Sequence, residues 1–396
     1  MIAEEEKMIA EEEPQLPPHR IVQSKKELHG WWNGIEHYGM RECTSERLLI
    51  NPYNGCEHGC FFCYAHAFPG HFTHFRNTGV ITVFKDFDKV VEKQLNMLKV
   101  ASCGYLSPVT DPFQPINEKY RLSEKIIEVF IRRNIPVEVV TKGVISDGAI
   151  KLLKQQEHSF AQISILTLDE MTRKWMMKGG ACTAELLRNI ERLSNKGIFT
   201  VCRIDPVLPY ITSGENELKE LIGKVVDAGA SHIITSCLDI PKAMARGIYE
   251  KIESKCGKEM RKKYELLYVE DMSGRKHARI EYRKKLFGLI KAVCKRKGVP
   301  VGLCMEFEKV AEAGNGNARF RGLNQEFMTS RNCEGIDIPI YVRQEDNDEF
   351  SPVDGCNGNC LACYHSSGEP GCGIEELKSA GAWKLKDYKR WSTVVF

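Results

Sequence analysis

The chain has no run of about 18 apolar residues, so nothing in it is expected to span a membrane. Its opening residues, Met-Ile-Ala-Glu-Glu-Glu, hold no basic stretch and no apolar stretch, and no secretory signal peptide is expected. A large excess of one charge is also missing. Lys and Arg number 56 against 53 Asp and Glu, a formal net charge of +3, which excludes strong global attraction to nucleic acid. Without a secretory signal, the 16 cysteines read as metal ligands in a reducing, cytoplasmic setting, not as a disulfide framework. At 396 residues and 42% hydrophobic content, the chain can form one large domain or two ordinary ones.

Three cysteines fall together. Cys56, Cys60 and Cys63 form Cys-x-x-x-Cys-x-x-Cys within residues 51–64, which read Asn-Pro-Tyr-Asn-Gly-Cys-Glu-His-Gly-Cys-Phe-Phe-Cys-Tyr. Three thiolates so spaced can hold three irons of a cubane [4Fe-4S] cluster and leave the fourth iron open. An open iron is useful when a cofactor must bind the metal directly. The cofactor used with this spacing is S-adenosylmethionine (SAM), cleaved by one electron to a 5′-deoxyadenosyl radical. Zinc is the competing reading, although it prefers four closed ligands. Residues 47–50 read as a short strand, Pro52 and Gly55 break it, and residues 61–67 read as the start of a helix. The cysteines therefore belong to a loop that follows a strand. Phe62, just before the third cysteine, is where such loops pack the adenine; Tyr64 either orients the loop or fills core.

From residue 45 strand-like and helix-like runs alternate. The strands are expected at 47–50, 80–84, 101–106, 137–141, 162–166, 200–204, 231–235 and 299–304. Helices are expected at 88–99, 123–133, 147–155, 184–196 and 215–228. About six such units imply an α/β fold, a partial or closed β/α (TIM-like) barrel, with active residues at the C-terminal strand ends. Residues 1–44 form an acidic, proline-containing extension, 45–310 the barrel and 311–396 a cysteine-rich C-terminal region. The duplicated Met-Ile-Ala-Glu-Glu-Glu at 1–6 and 8–13 reads as a frayed helix or a second start codon, and Trp31 and Trp32 as packing over the barrel. Residues 242–298 are rich in Lys and Arg. They form either amphipathic helices with solvated basic faces or a surface for phosphates.

Residues 51–64, together with Thr110-Asp111-Pro112-Phe113-Gln114-Pro115, resemble the radical SAM superfamily and, more narrowly, its spore photoproduct lyase-like branch. The resemblance covers roughly residues 45–305. It implies that Lys142, at the end of a strand, pairs with the cofactor carboxylate, and that Ser164 hydrogen-bonds the cofactor. Asp111 is expected to bind the cofactor or orient substrate, or else to cap the turn at Pro112. Arg203 and Asp205 form an ion pair or face the site. A ferredoxin- or flavodoxin-type electron donor is implied as a partner. The sequence departs from the branch at Pro108, where spore photoproduct lyases carry a hydrogen-donating cysteine; Cys103 nearby reads as a core thiol.

A second motif repeats the first spacing. Cys356, Cys360 and Cys363 are followed by Cys372, with Cys333 as the other candidate fourth ligand. An auxiliary iron–sulfur cluster is expected there, with zinc as the alternative. His58 and His365 each adjoin a motif and read as solvent-facing or supporting groups. Three functions compete: a radical SAM enzyme acting on nucleic acid or a nucleoside, one acting on a peptide or protein, and a non-enzymatic metal-binding protein that contacts nucleic acid.

Overall fold

The computed structural model describes residues 16–30, 47–68, 70, 72–312, 318–343, 348–360, 363, 370–378 and 383–391. The acidic duplication, Trp31, Trp32 and His365 lie outside the described residues.

Seven short apolar runs become strands: β1 (Arg47–Ile50), β2 (Cys103–Leu106), β3 (Val137–Thr141), β4 (Phe160–Ser164), β5 (Phe199–Val207), β6 (His232–Cys237) and β7 (Val301–Leu303). All pair in parallel, and each lies beside its predecessor in the chain. This is a partial β/α barrel whose edges are β1 and β7. Helices α1 (Phe87–Leu95), α2 (Leu122–Ile131), α3 (Asp147–Leu153), α4 (Thr183–Ser194), α5 (Glu215–Asp227) and α6 (Ile280–Lys297) supply the crossovers. Their sequences show why they pack outside. In α5, Leu218, Leu221, Ile222 and Val225 recur at helical spacing and are fully buried. Each contributes roughly 1.5–3 kcal/mol of burial. Ser146 caps α3 through its hydroxyl, which accepts from Ala149 N at 3.2 Å.

The segment expected at 80–84 is a strand, Ile81–Lys85, but not a barrel strand. It pairs with His19–Gln23 and Tyr53–Asn54 in a separate three-stranded sheet. Its β-branched, apolar composition suits any sheet, and only the tertiary fold decides which one. The run expected at 101–106 divides at Ser102. Val100–Ala101 joins Tyr341–Arg343, and Cys103–Leu106 enters the barrel.

The later part of the chain covers the N-terminal ends of the strands, which form the base of the barrel. His232 Nε2 meets Cys333 O at 3.0 Å, and the Tyr341 hydroxyl meets Gln156 (2.7 Å) and His158 (2.6 Å). Ile338 packs inside the base against Cys103, Phe160, Val201 and Ile234. At the edge of β1, His29 bridges Leu49 and Lys384.

Candidate active site at the barrel mouth

The first cysteine loop leaves the C-terminal end of β1 and lies across the mouth. Asn51 Oδ1 accepts from Val109 N (3.2 Å) and Thr110 Oγ1 (3.3 Å), which ties the loop to the turn after β2. Gly55 turns the chain into Cys56 with φ +102°, and a Cβ there would lie 2.7 Å from the Phe75 ring. The Gln114 amide spans the loop, meeting Gly55 O and Glu57 N, each at 3.2 Å. Cys56, Cys60 and Cys63 are half-buried and in no disulfide. Phe62 is buried in the main core, edge-on to Phe61 at 5.3 Å. Tyr64 follows, 38% exposed, with its hydroxyl donating to Pro108 O.

Asp111 joins this loop to β3. One carboxylate oxygen accepts from Phe113 N (2.9 Å) and Thr141 Oγ1 (2.7 Å); the other accepts from Lys142 N (2.7 Å) and stands 2.9 Å from His58 Nε2. Burial works to raise this carboxyl. His58 and the donors from Lys142 and Thr141 outweigh it and hold the group below the ordinary aspartate range. Asp111 is thus engaged on all sides by protein.

A segment the sequence reading passed over packs between the cysteine loop and Lys142. Met177 bridges Cys60, Phe61 N donates to Met176 O (3.2 Å), Gly179 N to His58 O (3.0 Å) and Ala181 N to Lys142 O (2.9 Å). A Cβ on Gly179 would lie 2.5 Å from Glu57 O, so the two backbones touch only because the residue is glycine. The adjacent pair Gly179-Gly180 was the one signal in the sequence that could have marked it.

The side chains around this loop fit a cluster with a chelating cofactor. Burial pushes the Cys60 thiol up to about 12, against the pull of the Lys142 charge. Bound metal would have to supply the rest of the field that makes these thiols into thiolates. Two buried hydroxyls at strand ends, Ser107 after β2 and Ser164 in β4, have no hydrogen-bond partner. Ser164 borders a small cleft with Ile165, Thr167, Met176 and Met177, beside the segment that touches Cys60. A buried, unpartnered hydroxyl is unfavourable unless a ligand completes it.

Below the mouth, the barrel interior holds a continuous polar chain. Arg47 bonds Glu138 (3.0 Å) and Glu334; Gln162 bonds Glu138. Arg203 bonds Gln162 (2.6 Å), Asp205 and Cys304 Sγ (3.0 Å), and Ser236 bonds Asp205. Arg203 and Asp205 are therefore an ion pair within a larger network. Cys103 is buried in the base with its Sγ on Gly104 O at 3.6 Å. Above, Arg275 is held by Asp239 (2.7 and 2.9 Å) with its guanidinium 5.7 Å from the Tyr64 ring centre.

Residues 50–222 match the model of the Radical SAM superfamily, a span that begins at the end of β1 and takes in the cysteine loop, Asp111, Lys142 and Ser164. The chain carries a radical SAM domain. A radical SAM Nalpha-GlyT isomerase of Pseudomonas phage M6 is 27% identical over 381 residues, covering 94% of this chain and 78% of that protein. An uncharacterised protein of Mycobacterium tuberculosis is 25% identical over 236 residues, covering 56% of this chain and 67% of that one. Among solved structures, a spore photoproduct lyase double mutant with bound AdoMet and dinucleoside spore photoproduct superposes with a TM-score of 0.50. It is 16% identical and covers 63% of this radical SAM chain and 73% of its own. That likeness is one of fold. Family membership sets aside the reading as a non-enzymatic metal-binding protein.

Several cations of the basic stretch at 242–298 are paired within the protein. Arg283 is buried between Glu270 and Glu306, and Lys284 lies between Glu308 and Glu326. Arg261 meets Glu253 and Glu265, and Lys262 meets Glu259. These partners neutralise part of the positive face. No helix among the described residues is long and apolar enough to cross a membrane.

Proposed function

We propose that this radical SAM enzyme holds one [4Fe-4S] cluster on Cys56, Cys60 and Cys63 and abstracts hydrogen from a substrate of nucleic-acid or nucleoside type. When bound, the cluster and SAM supply one-electron cleavage of the sulfonium to a 5′-deoxyadenosyl radical. The observation that carries the reading is the meeting, at one end of the barrel, of three thiols, the Lys142 charge and the unpartnered Ser164 hydroxyl. Lys142 pairs with the cofactor carboxylate and Ser164 bonds it, while Phe62 backs the adenine side from within the core. Asp111 acts as a positioning residue, setting Lys142 and the loop residue His58 in register. The electron comes from a ferredoxin- or flavodoxin-type donor in the cytoplasm.

Two observations support the substrate class. The half-exposed Tyr64 ring, with Arg275 fixed above it, offers the aromatic and guanidinium surface on which a base stacks. The phage relative is named for an isomerisation of Nalpha-GlyT, and the spore photoproduct lyase structure contains a dinucleoside. The test is anaerobic turnover with DNA, nucleosides or peptides as the added substrate, read as stimulated 5′-deoxyadenosine formation. Stimulation by nucleic acid or nucleosides is expected. Stimulation by peptides alone would replace this reading with the peptide-modifying one.

A further inference from the structure

Cleavage of SAM needs one electron at the first cysteine loop, and it must arrive while cofactor and substrate occupy the mouth. The loop meets solvent in two places. Tyr64 turns toward Pro108 and Arg275 at the mouth. Gly59 lies against the segment 176–181, where a Cβ on it would be 3.9 Å from the Lys178 Cβ. It is the one exposed residue among 56–63, and it directly precedes Cys60.

The short helix Glu170–Met176 leads to this point. Met171 and Lys174, three residues apart, share its solvent face, and Met171 is 67% exposed. Lys178 is exposed just beyond the helix end. Neither lysine makes an ion pair among the described residues, whereas carboxylates of the same segments are engaged. Asp169 caps the helix, accepting from Met171 N (3.3 Å) and Thr172 N (2.9 Å). Glu170 holds Arg173 (2.8 Å) and accepts from Thr183 N (2.6 Å), and Glu57 accepts from Ile116 N (2.9 Å). Beneath this face Trp175 packs on Phe61, ring centres 4.9 Å apart. Backbone contacts tie Phe61 to Met176 and Cys60 to Met177. The face is therefore joined directly to a cysteine of the loop.

We propose that Gly59, Met171, Lys174 and Lys178 form the docking face for a small acidic one-electron carrier protein, which reduces the cluster from beside Cys60 and not through the mouth. This rests on the cluster proposed at Cys56, Cys60 and Cys63, and adds where its electron enters. The carrier loses one electron and the cluster gains it; no atom or proton is transferred. Electron-transfer encounters are small, typically under about 1,200 Å², so one exposed apolar side chain beside two lysines is a sufficient patch. Two unpaired cations steer an acidic carrier, setting the on-rate and its salt dependence. Glycine at position 59 leaves no side chain between the carrier and the loop backbone.

The test is 5′-deoxyadenosine formation by the full reconstituted chain, driven in parallel by dithionite, by reduced flavodoxin and by reduced ferredoxin. With at least one of the two carriers, the wild-type rate should fall as ionic strength rises. Lys174→Glu/Lys178→Glu should slow that carrier-driven rate about tenfold at low salt and remove its salt dependence. The same variant should keep its dithionite-driven rate, and Lys174→Ala/Lys178→Ala should lie between it and the wild type. Turnover with dithionite but with neither carrier overturns the proposal, as does a carrier-driven wild-type rate indifferent to salt. A charge-reversed variant as fast as wild type with the carrier also overturns it. So does an equal loss with dithionite, which would assign the lysines to the integrity of the loop. No dithionite-driven product from an iron-loaded wild type is a separate outcome: it removes the cluster reading, and this inference with it.

Discussion

Replacing Asp111 with asparagine tests how the mouth is assembled. The carboxylate accepts from Phe113 N, Thr141 Oγ1 and Lys142 N within 2.9 Å and faces His58 at 2.9 Å. Asparagine keeps the shape but has one acceptor oxygen. If that oxygen stays with Phe113 and Thr141, the new amide NH₂ faces the Lys142 N–H. One hydrogen bond to a charged acceptor is lost, about 1.5–3 kcal/mol, and a poorly solvated N–H is left unmade, about 1–3 kcal/mol. The expected cost is about 3–5 kcal/mol, a large share of the stability of an ordinary domain. The Asp111 carboxyl is held below its usual range, so its contribution is full above about pH 4 and disappears as pH falls through the folded value. The difference between wild type and Asp111→Asn should shrink in acid accordingly. Urea unfolding of the metal-free proteins at pH 7 and pH 3.5 measures both terms, and iron uptake reports the loop. An Asp111→Asn protein with an unchanged midpoint and unchanged iron uptake would refute the account of Asp111 as the joint between loop and strand.

Other perturbations separate binding from folding. Ser164→Ala removes a hydroxyl that has no partner in the protein, so stability should stay within about 0.5 kcal/mol while SAM binding weakens several-fold by calorimetry; a destabilised variant with normal binding would assign the hydroxyl to the fold. Gly143→Ala would put a Cβ 2.4 Å from Phe113 O and push Lys142 away from the Asp111 turn, costing about 1–3 kcal/mol and weakening SAM binding; normal values for both would contradict the packing. Burial lowers the His232 imidazole to about 4, so the unfolded chain binds the proton first and stability falls as pH drops from about 6.5 to about 4. The full effect is about 3 kcal/mol, and His232→Gln should remove that part of the acid dependence in a chemical-denaturation series.

Parts of this architecture could be read directly. Val137–Thr141 emerges with the expected bounds because a β-branched run is followed by Lys142-Gly143, and the strand end puts Lys142 at the mouth. The cysteine spacing marked the loop. Other features carry no local signal. Arg47 and Glu138 look like polar interruptions of apolar strands, yet they are buried partners across the barrel, and the third partner, Glu334, comes from the distant base plug. Met176–Ala181 meets the cysteine loop through backbone atoms, which any sequence would supply except for Gly179 and Gly180. Arg283 and Lys284 read as part of a phosphate track until the fold brings Glu306, Glu308 and Glu326 beside them.

The most direct test is anaerobic reconstitution and dithionite reduction with SAM, followed by assay of 5′-deoxyadenosine for the wild type and Cys60→Ala. Product from the wild type and none from a folded Cys60→Ala protein is the predicted result. Equal product from both, or none from a wild type loaded with iron, would contradict the assignment of this loop as the seat of the radical chemistry.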